Sequence, residues 1–428
     1  MMSRTTSLVL ILLVACGSLH AQPLRILFIG NSYTYYNDLP GSLVQLAADA
    51  GEQVVTAQST PPGHTLEQHS MNAVTLDLIR EGGWDHVVIQ EQSQRPAFPD
   101  AQVAAEVLPY AQALSDSVRL YSPCAEIVFY MTWGRSQGDA QNCVAFPPVC
   151  TYEGMQHRLR LGYLSMAVEN SAWCAPVGMA WRTIRQEHPD IVLYDPDGSH
   201  PGLAGSYLAA STIFCTVFRR SADGINFNGA LSPSTASILR QVATSTVLDS
   251  LDVWNIGVND PLASLEYQYL GNNSVAFEST TAIAPGQTYW WDLGDGNTSN
   301  DATLSHTYAG VGPYTVMHAV TDDCGRSDST TVLIDLLGTS IHGQEQHRSA
   351  YWQQDGYLLR TLAPGMMEGT MRFHASDGRL LAHERVVHGQ VGLQHVMGED
   401  VRPVIWHWTG PHGERAAGRL LLWGAPGR

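Results

Sequence analysis

Between Leu24 and about Gly257, short apolar runs alternate with stretches of helical period, and this alternation is what most limits the fold. Arg25 to Ile29, His86 to Ile89, Glu126 to Thr132 and Ala175 to Met179 read as buried strands. Leu39 to Ala50, Ala101 to Ser117, Glu153 to Asn170 and Leu203 to Phe218 read as helices. In the first of these, Leu39, Leu43, Leu46, Ala47 and Ala50 share a face and Gly51 is the stop signal. Apolar strands separated by helices predict a parallel sheet covered on both faces. Ligands of such sheets gather beyond the carboxyl ends of the strands. Ser32, Gln90 and Trp133 each follow a predicted strand, so they are expected to share that rim.

The pattern changes near Asn259. With 428 residues the chain is too long for one ordinary core. From Leu262 to about Leu337 it carries short alternating runs rich in Thr, Ser, Val and Tyr, broken by Gly and Asn, as in an all-β sandwich. From Gly338 to Arg428 short strands return, with an Asp377-Gly378 hairpin turn inside Met371 to Leu381 and a last strand at Leu420 to Trp423. The expected domains are therefore 22–257, 260–337 and 338–428.

Residues 1–21 read as an export signal, with Arg4 first, an apolar core from Leu8 to Ala15, and Ala21 before the cut. Leu13-Val14-Ala15-Cys16 also fits a lipoprotein cleavage box, the minority alternative, which would leave Cys16 lipidated. No later segment is apolar enough to be transmembrane. Export permits disulfides, and Cys143 and Cys150, flanking a six-residue loop, are the expected pair. No metal site or cofactor is expected, because the cysteines and histidines lack ligand spacing. The net charge of −17 argues against nucleic acid as a partner, since phosphate contacts need clustered cations.

The chemistry centres on Ser32, in Gly30-Asn31-Ser32 directly after the first strand. A serine hydroxyl needs a base to become a nucleophile. Asp197-Gly198-Ser199-His200 supplies one: at this spacing the carboxylate can orient one imidazole nitrogen and leave the other facing the serine. Acyl transfer also needs fixed donors for a developing oxyanion. Candidates are the N–H groups of Ser32 and Gly63 and a side-chain amide from Gln90 or Gln92. Gln90, nearer the strand end, is preferred. Trp133-Gly134-Arg135 either contacts substrate or packs in the core, and Trp173 and Trp181 are expected in the core.

In this order the motifs resemble the SGNH hydrolases, also called GDSL-type esterases and lipases, over roughly Leu24 to Thr216. The resemblance implies a flavodoxin-like three-layer α/β/α fold. It also implies Ser32 as nucleophile, His200 as base, Asp197 as its orienting acid and Gly63 as an oxyanion donor. Two departures stand out: Asn31 where the family usually has Asp, and Gln90-Glu91-Gln92 where it usually has Gly-x-Asn. Carbohydrate-acting branches of the family are similar in using Gln there, which implies an ester-bearing small molecule or an acetylated carbohydrate as substrate. Trp290-Trp291-Asp292-Leu293-Gly294-Asp295-Gly296, followed by Ser305-His306-Thr307-Tyr308, resembles the immunoglobulin-like polycystic-kidney-disease (PKD) repeat. Asp292 and Asp295 there are read as turn formers rather than calcium ligands. The C-terminal segment resembles the sorting domain of the type IX secretion machinery, which implies a secreted or cell-surface protein. The expectation is a secreted serine esterase. A binding-only surface protein and an acyltransferase on the same fold are the alternatives.

Overall fold

The computed structural model describes residues 22–281 and 286–336, and between Tyr351 and Leu422 the backbone of seven strands. The expected export signal, including Cys16, lies outside the described residues, as does the Asp377-Gly378 turn. The first unit runs β1 (Leu24–Ile29), α1 (Ser32–Tyr35), α2 (Leu39–Asp49), β2 (Val54–Ser59), α3 (Leu66–Met71), α4 (Ala73–Glu81) and β3 (His86–Ile89). It continues with α5 (Asp100–Glu106), α6 (Leu108–Tyr121), β4 (Glu126–Tyr130), α7 (Tyr152–Glu169), β5 (Trp173–Ala175), α8 (Val177–Glu187), α9 (Leu203–Phe218) and α10 (Pro233–Leu248).

The five strands pair in parallel in the order β2-β1-β3-β4-β5. That is the doubly wound, flavodoxin-like order, with helices on both faces. Central strands β1, β3 and β4 are buried almost throughout, which is why they read as continuous apolar runs. The chain leaves β1 for β2 on one side and returns to β3 on the other. The switch point therefore lies above β1 and β3, where a crevice forms between loops.

Two sequence readings are corrected. Ala175 to Met179 is not one strand: β5 ends at Ala175, and Pro176 starts α8, which contains Met179. Ala101 to Ser117 is two helices, because Val107 leaves helical geometry just before Pro109. Among the described residues no helix is long and apolar enough to cross a membrane.

The second unit is antiparallel. β6 (Leu265–Gly271), β7 (Ser274–Ser279) and β10 (Thr303–Thr307) form a three-stranded sheet. β8 (Thr288–Asp292), β9 (Thr298–Ser299), β11 (Tyr314–Thr321) and β12 (Ser327–Ile334) form a four-stranded one. Between the sheets sit Val275, Phe277, Trp291, Tyr308, Val316 and Ile334. Asp292 Oδ1 accepts from the Gly294 amide and Asp295 Oδ1 from the Asn297 amide, so both carboxylates organise the β8–β9 turn. The seven C-terminal strands form one further antiparallel sheet.

Two disulfides are formed among the described residues. Cys143–Cys150 closes the expected loop, and Cys124–Cys324 joins the α/β unit to the turn between β11 and β12. Cys174 and Cys215 are buried thiols.

Candidate active site

The sheet delivers Ser32 to the rim because Gly30 and Asn31 turn the chain sharply out of β1. A Cβ on Gly30 would come within 2.7 Å of Gln90 Oε1 and 2.5 Å of Thr34 Oγ1, so only glycine lets β3's extension lie this close. Asn31 then ties three pieces together. Its amide donates to Gln90 Oε1 at 3.0 Å, its Oδ1 caps α1 at the Tyr33 amide, and its Nδ2 donates to the His64 carbonyl at 2.9 Å. An aspartate could not make the last bond, having no donor when ionised. The unusual Asn31 is thus explained by the loop after β2, which it holds beside Ser32.

His200 arrives from the segment before α9. Ser32 Oγ lies 2.9 Å from His200 Nε2, and His200 Nδ1 lies 2.5 Å from Asp197 Oδ2. Asp197 Oδ1 accepts from the Ser199 and His200 amides, each at 2.9 Å. Burial opposes its charge, but the bonds from the imidazole and the two amides outweigh it and hold the carboxyl below its usual range. Asp197 stays a carboxylate, so His200 Nδ1 keeps its hydrogen and Nε2 is left to accept from Ser32. Gly198 makes the turn possible: its φ is +68°, and a Cβ there would strike Ser136 Oγ at 2.3 Å.

Aromatic rings fix this loop. Tyr33 stacks on Trp133, which stacks on Trp181, with centroids 4.8 and 3.8 Å apart. Trp133 Nε1 donates to the Ser199 carbonyl at 3.0 Å, and the Tyr33 hydroxyl meets Ser199 Oγ at 2.6 Å. Tyr36 stacks on the His200 imidazole at 4.5 Å. Trp133 is fully buried, which decides its two readings in favour of packing. Tyr33, Tyr36 and Ser199 carried no recognisable spacing in the sequence, because their contacts are made across more than 160 residues of chain.

Of the three oxyanion candidates, Gly63 is exposed with φ of +68° and open space around its Cα, so its N–H can face solvent or substrate. Ser32 opens α1, where a first-turn amide has no helical acceptor. Gln90, the preferred amide, lies behind the serine turn. Gln90 is fully buried; its Oε1 accepts from the Asn31 amide and Thr34 Oγ1, and its Nε2 donates to the Glu91 carbonyl. Its amide supports the turn behind Ser32. Gln92 is the half-buried glutamine at the rim, held by Gln94, with its Oε1 accepting from the Gln94 amide at 2.9 Å and its Nε2 donating to Gln94 Oε1 at 3.2 Å.

His69 is buried under the site: its Nε2–H donates to the Gly30 carbonyl, and its Nδ1 accepts from Thr75 Oγ1, each at 2.8 Å. Burial lowers its pKa to about 4, so it is neutral in this network.

Residues 266–334 match the PKD domain family. Among solved structures, the chain is similar to a DUF4886 family protein from Bacteroides uniformis, at 16% identity and a TM-score of 0.46, over 53% of this chain and 95% of that one. It is similar to a candidate SGNH hydrolase from Slackia heliotrinireducens, at 28% identity and a TM-score of 0.38, over 45% of this chain and 98% of that one. It is also similar to the PKD1 domain of the Vibrio cholerae metalloprotease PrtV, at 35% identity and a TM-score of 0.16, over 18% of this chain and 98% of that one.

Proposed function

We propose that this protein is a serine ester hydrolase, and the observation that carries the reading is the unbroken relay Ser32–His200–Asp197 at the carboxyl rim of the sheet. Ser32 Oγ attacks the ester carbonyl while its proton passes to His200 Nε2. The carbonyl oxygen takes up negative charge against the N–H groups of Ser32 and Gly63 and the amide of Gln92. Collapse of this intermediate expels the alcohol, which takes the proton back from His200. Water then attacks the acyl-serine, giving its proton to His200, and the carboxylic acid leaves as Ser32 is reprotonated. Asp197 orients the imidazole and steadies its cationic form throughout.

The finer reading is an acetyl ester on a carbohydrate, hydrolysed outside the cell. The half-exposed site, with 28% of the His200 side chain accessible, suits a bulky alcohol that stays largely in solvent. In this reading residues 22–257 are catalytic, 260–337 an accessory sandwich and 338–428 the part that the type IX machinery takes up. The disulfides suit an oxidising compartment.

The test is labelling with a fluorophosphonate and mapping of the modified peptide. The expected adduct is on Ser32, and Ser32→Ala or His200→Ala should abolish it along with turnover of an aryl acetate. An adduct elsewhere, or full turnover by Ser32→Ala, would end this reading.

A further inference from the structure

Glu91 stands between the two glutamines, fully buried, and among the described residues its carboxylate makes no ion pair. Its oxygens go instead to two backbone amides. Leu66 N lies 3.3 Å from each of them, and Gln92 N lies 2.5 Å from Oε1. Leu66 opens α3, three residues after Gly63, and Gln92 is the rim glutamine. A single carboxylate therefore bridges the loop after β2 to the loop after β3, the two loops that bear the non-serine oxyanion donors. The other groups around it hold the backbone of Glu91 or act at a distance. Tyr163 on α7 meets its amide at 3.3 Å and its carbonyl at 3.4 Å. Arg95, after β3, is paired with Glu67 on α3 at 3.3 Å and with Glu106 on α5 at 3.1 Å.

We propose that Glu91 is a positioning residue for the oxyanion donors, and that it locks the Gly63 loop against Gln92 most tightly as a carboxylate. This rests on the ester-hydrolase reading above. A carboxylate offers both oxygens to the two amides; with a proton on Oε2, Oε1 alone is left to accept from the Gln92 and Leu66 amides, and the Leu66 side of the clamp loosens. Burial pushes the Glu91 carboxyl up to about 7, the amides of Gln92 and Leu66 and the charge of Arg95 working against that rise and Glu67 adding to it. The clamp thus tightens as pH rises through about 7 and loosens as it falls.

The experiment is the pH dependence of Ser32 phosphonylation by a fluorophosphonate, which needs no knowledge of the natural ester. In the native protein the logarithm of the rate should fall on the acid side with a slope steeper than one over about the first tenfold of loss, where the base and Glu91 both take up protons, and with a slope of about one below that. In Glu91→Gln the slope should drop to about one, with the maximal rate reduced about tenfold or more and the half-saturating probe concentration changed less than about threefold. A slope of about one throughout the acid limb of the native protein overturns the proposal, as does the steeper stretch being kept by Glu91→Gln. If Glu91→Gln does not fold, the native slope decides alone. Labelling away from Ser32, or none, overturns the ester-hydrolase reading itself; Ser32 labelling with a single-slope limb overturns only the role of Glu91.

Discussion

At the scale of single residues, the site depends on which atoms donate. Asn31 is placed where only a neutral amide can accept from the Tyr33 amide and donate to the His64 carbonyl at once. Asn31→Asp keeps the cap on α1 but sets a carboxylate against a carbonyl, so the Gly63 loop should loosen. The expected result is a fall in kcat of about tenfold with KM little changed, measured on an aryl acetate, because only transition-state contacts are lost. The two glutamines should separate in the same assay. In the proposed mechanism Gln92 is an oxyanion donor, so Gln92→Ala should lower kcat by about a hundredfold or more. Gln90→Ala leaves the Asn31 amide buried without its acceptor and should lower stability by about 1–3 kcal/mol, visible as a reduced Tm. A reversed pattern would return the donor role to Gln90. The sequence made the glutamines visible but not that Gln90 is buried and Gln92 half-buried, since distance along the chain from a strand end says nothing of which amide faces inward.

At the scale of elements, the legible parts were those with continuous apolar runs or a full helical stripe, namely β1, β3, β4, α2, α7 and α9. β2 was illegible because it is an edge strand with Thr56 and Gln58 among its residues and alternate exposure. α3 and α4 were illegible because each is short and Asn72 both ends one and caps the next. That pair nevertheless matters, since α3 places His69 beneath Gly30. His69 on α3 and His86 on β3 are both driven down to about 4 by burial, from 6.5. Between those values the unfolded chain binds protons that the folded chain refuses. Their contribution to stability is complete above about 6.5 and is lost as pH falls toward about 4. Glu91 works the other way, raised to about 7 from 4.5, and adds stability as pH falls through that window. Two groups against one leave a net loss, so Tm should drop between those limits. Among the described residues, the two buried ring nitrogens of His86 have no hydrogen-bond partner. His86→Leu should therefore raise stability at neutral pH by about 1 kcal/mol or more, and should flatten the acid decline. An unchanged pH profile in His86→Leu would remove this account.

At the scale of the whole molecule, the PKD-type sandwich is fastened to the α/β unit by more than the linker. Cys124–Cys324 spans 200 residues of chain. Beside it Arg326 pairs with Glu126 at 2.5 Å and Asp322 at 2.6 Å, and Asn259 Nδ2 donates to Glu126 Oε2 at 3.0 Å. The Ala263 amide donates to Asp328 Oδ2 at 2.8 Å. Glu126 begins β4 and Cys124 precedes it, so the clamp sits at the amino edge of the parallel sheet. Ser32, Gly63, Gln92 and His200 sit at the carboxyl edge. The clamp and the site are thus on opposite rims, joined through strands that are buried and packed. None of this was legible, because a disulfide between two domains has no local spacing to betray it. The geometry predicts a separation of effects. Replacing Cys124 and Cys324 by Ser, with Arg326→Ala to remove the ion pairs, should let the sandwich swing on residues 258–263 and enlarge the radius of gyration seen by small-angle scattering. Turnover of a small aryl acetate should stay within about twofold, since no catalytic donor or acceptor touches the clamp. Turnover of a polymeric ester would fall only if the sandwich holds the polymer near the rim. A loss on the small ester instead would mean that β4 transmits strain from the clamp to Trp133 and the His200 loop, and the two rims could no longer be treated as independent.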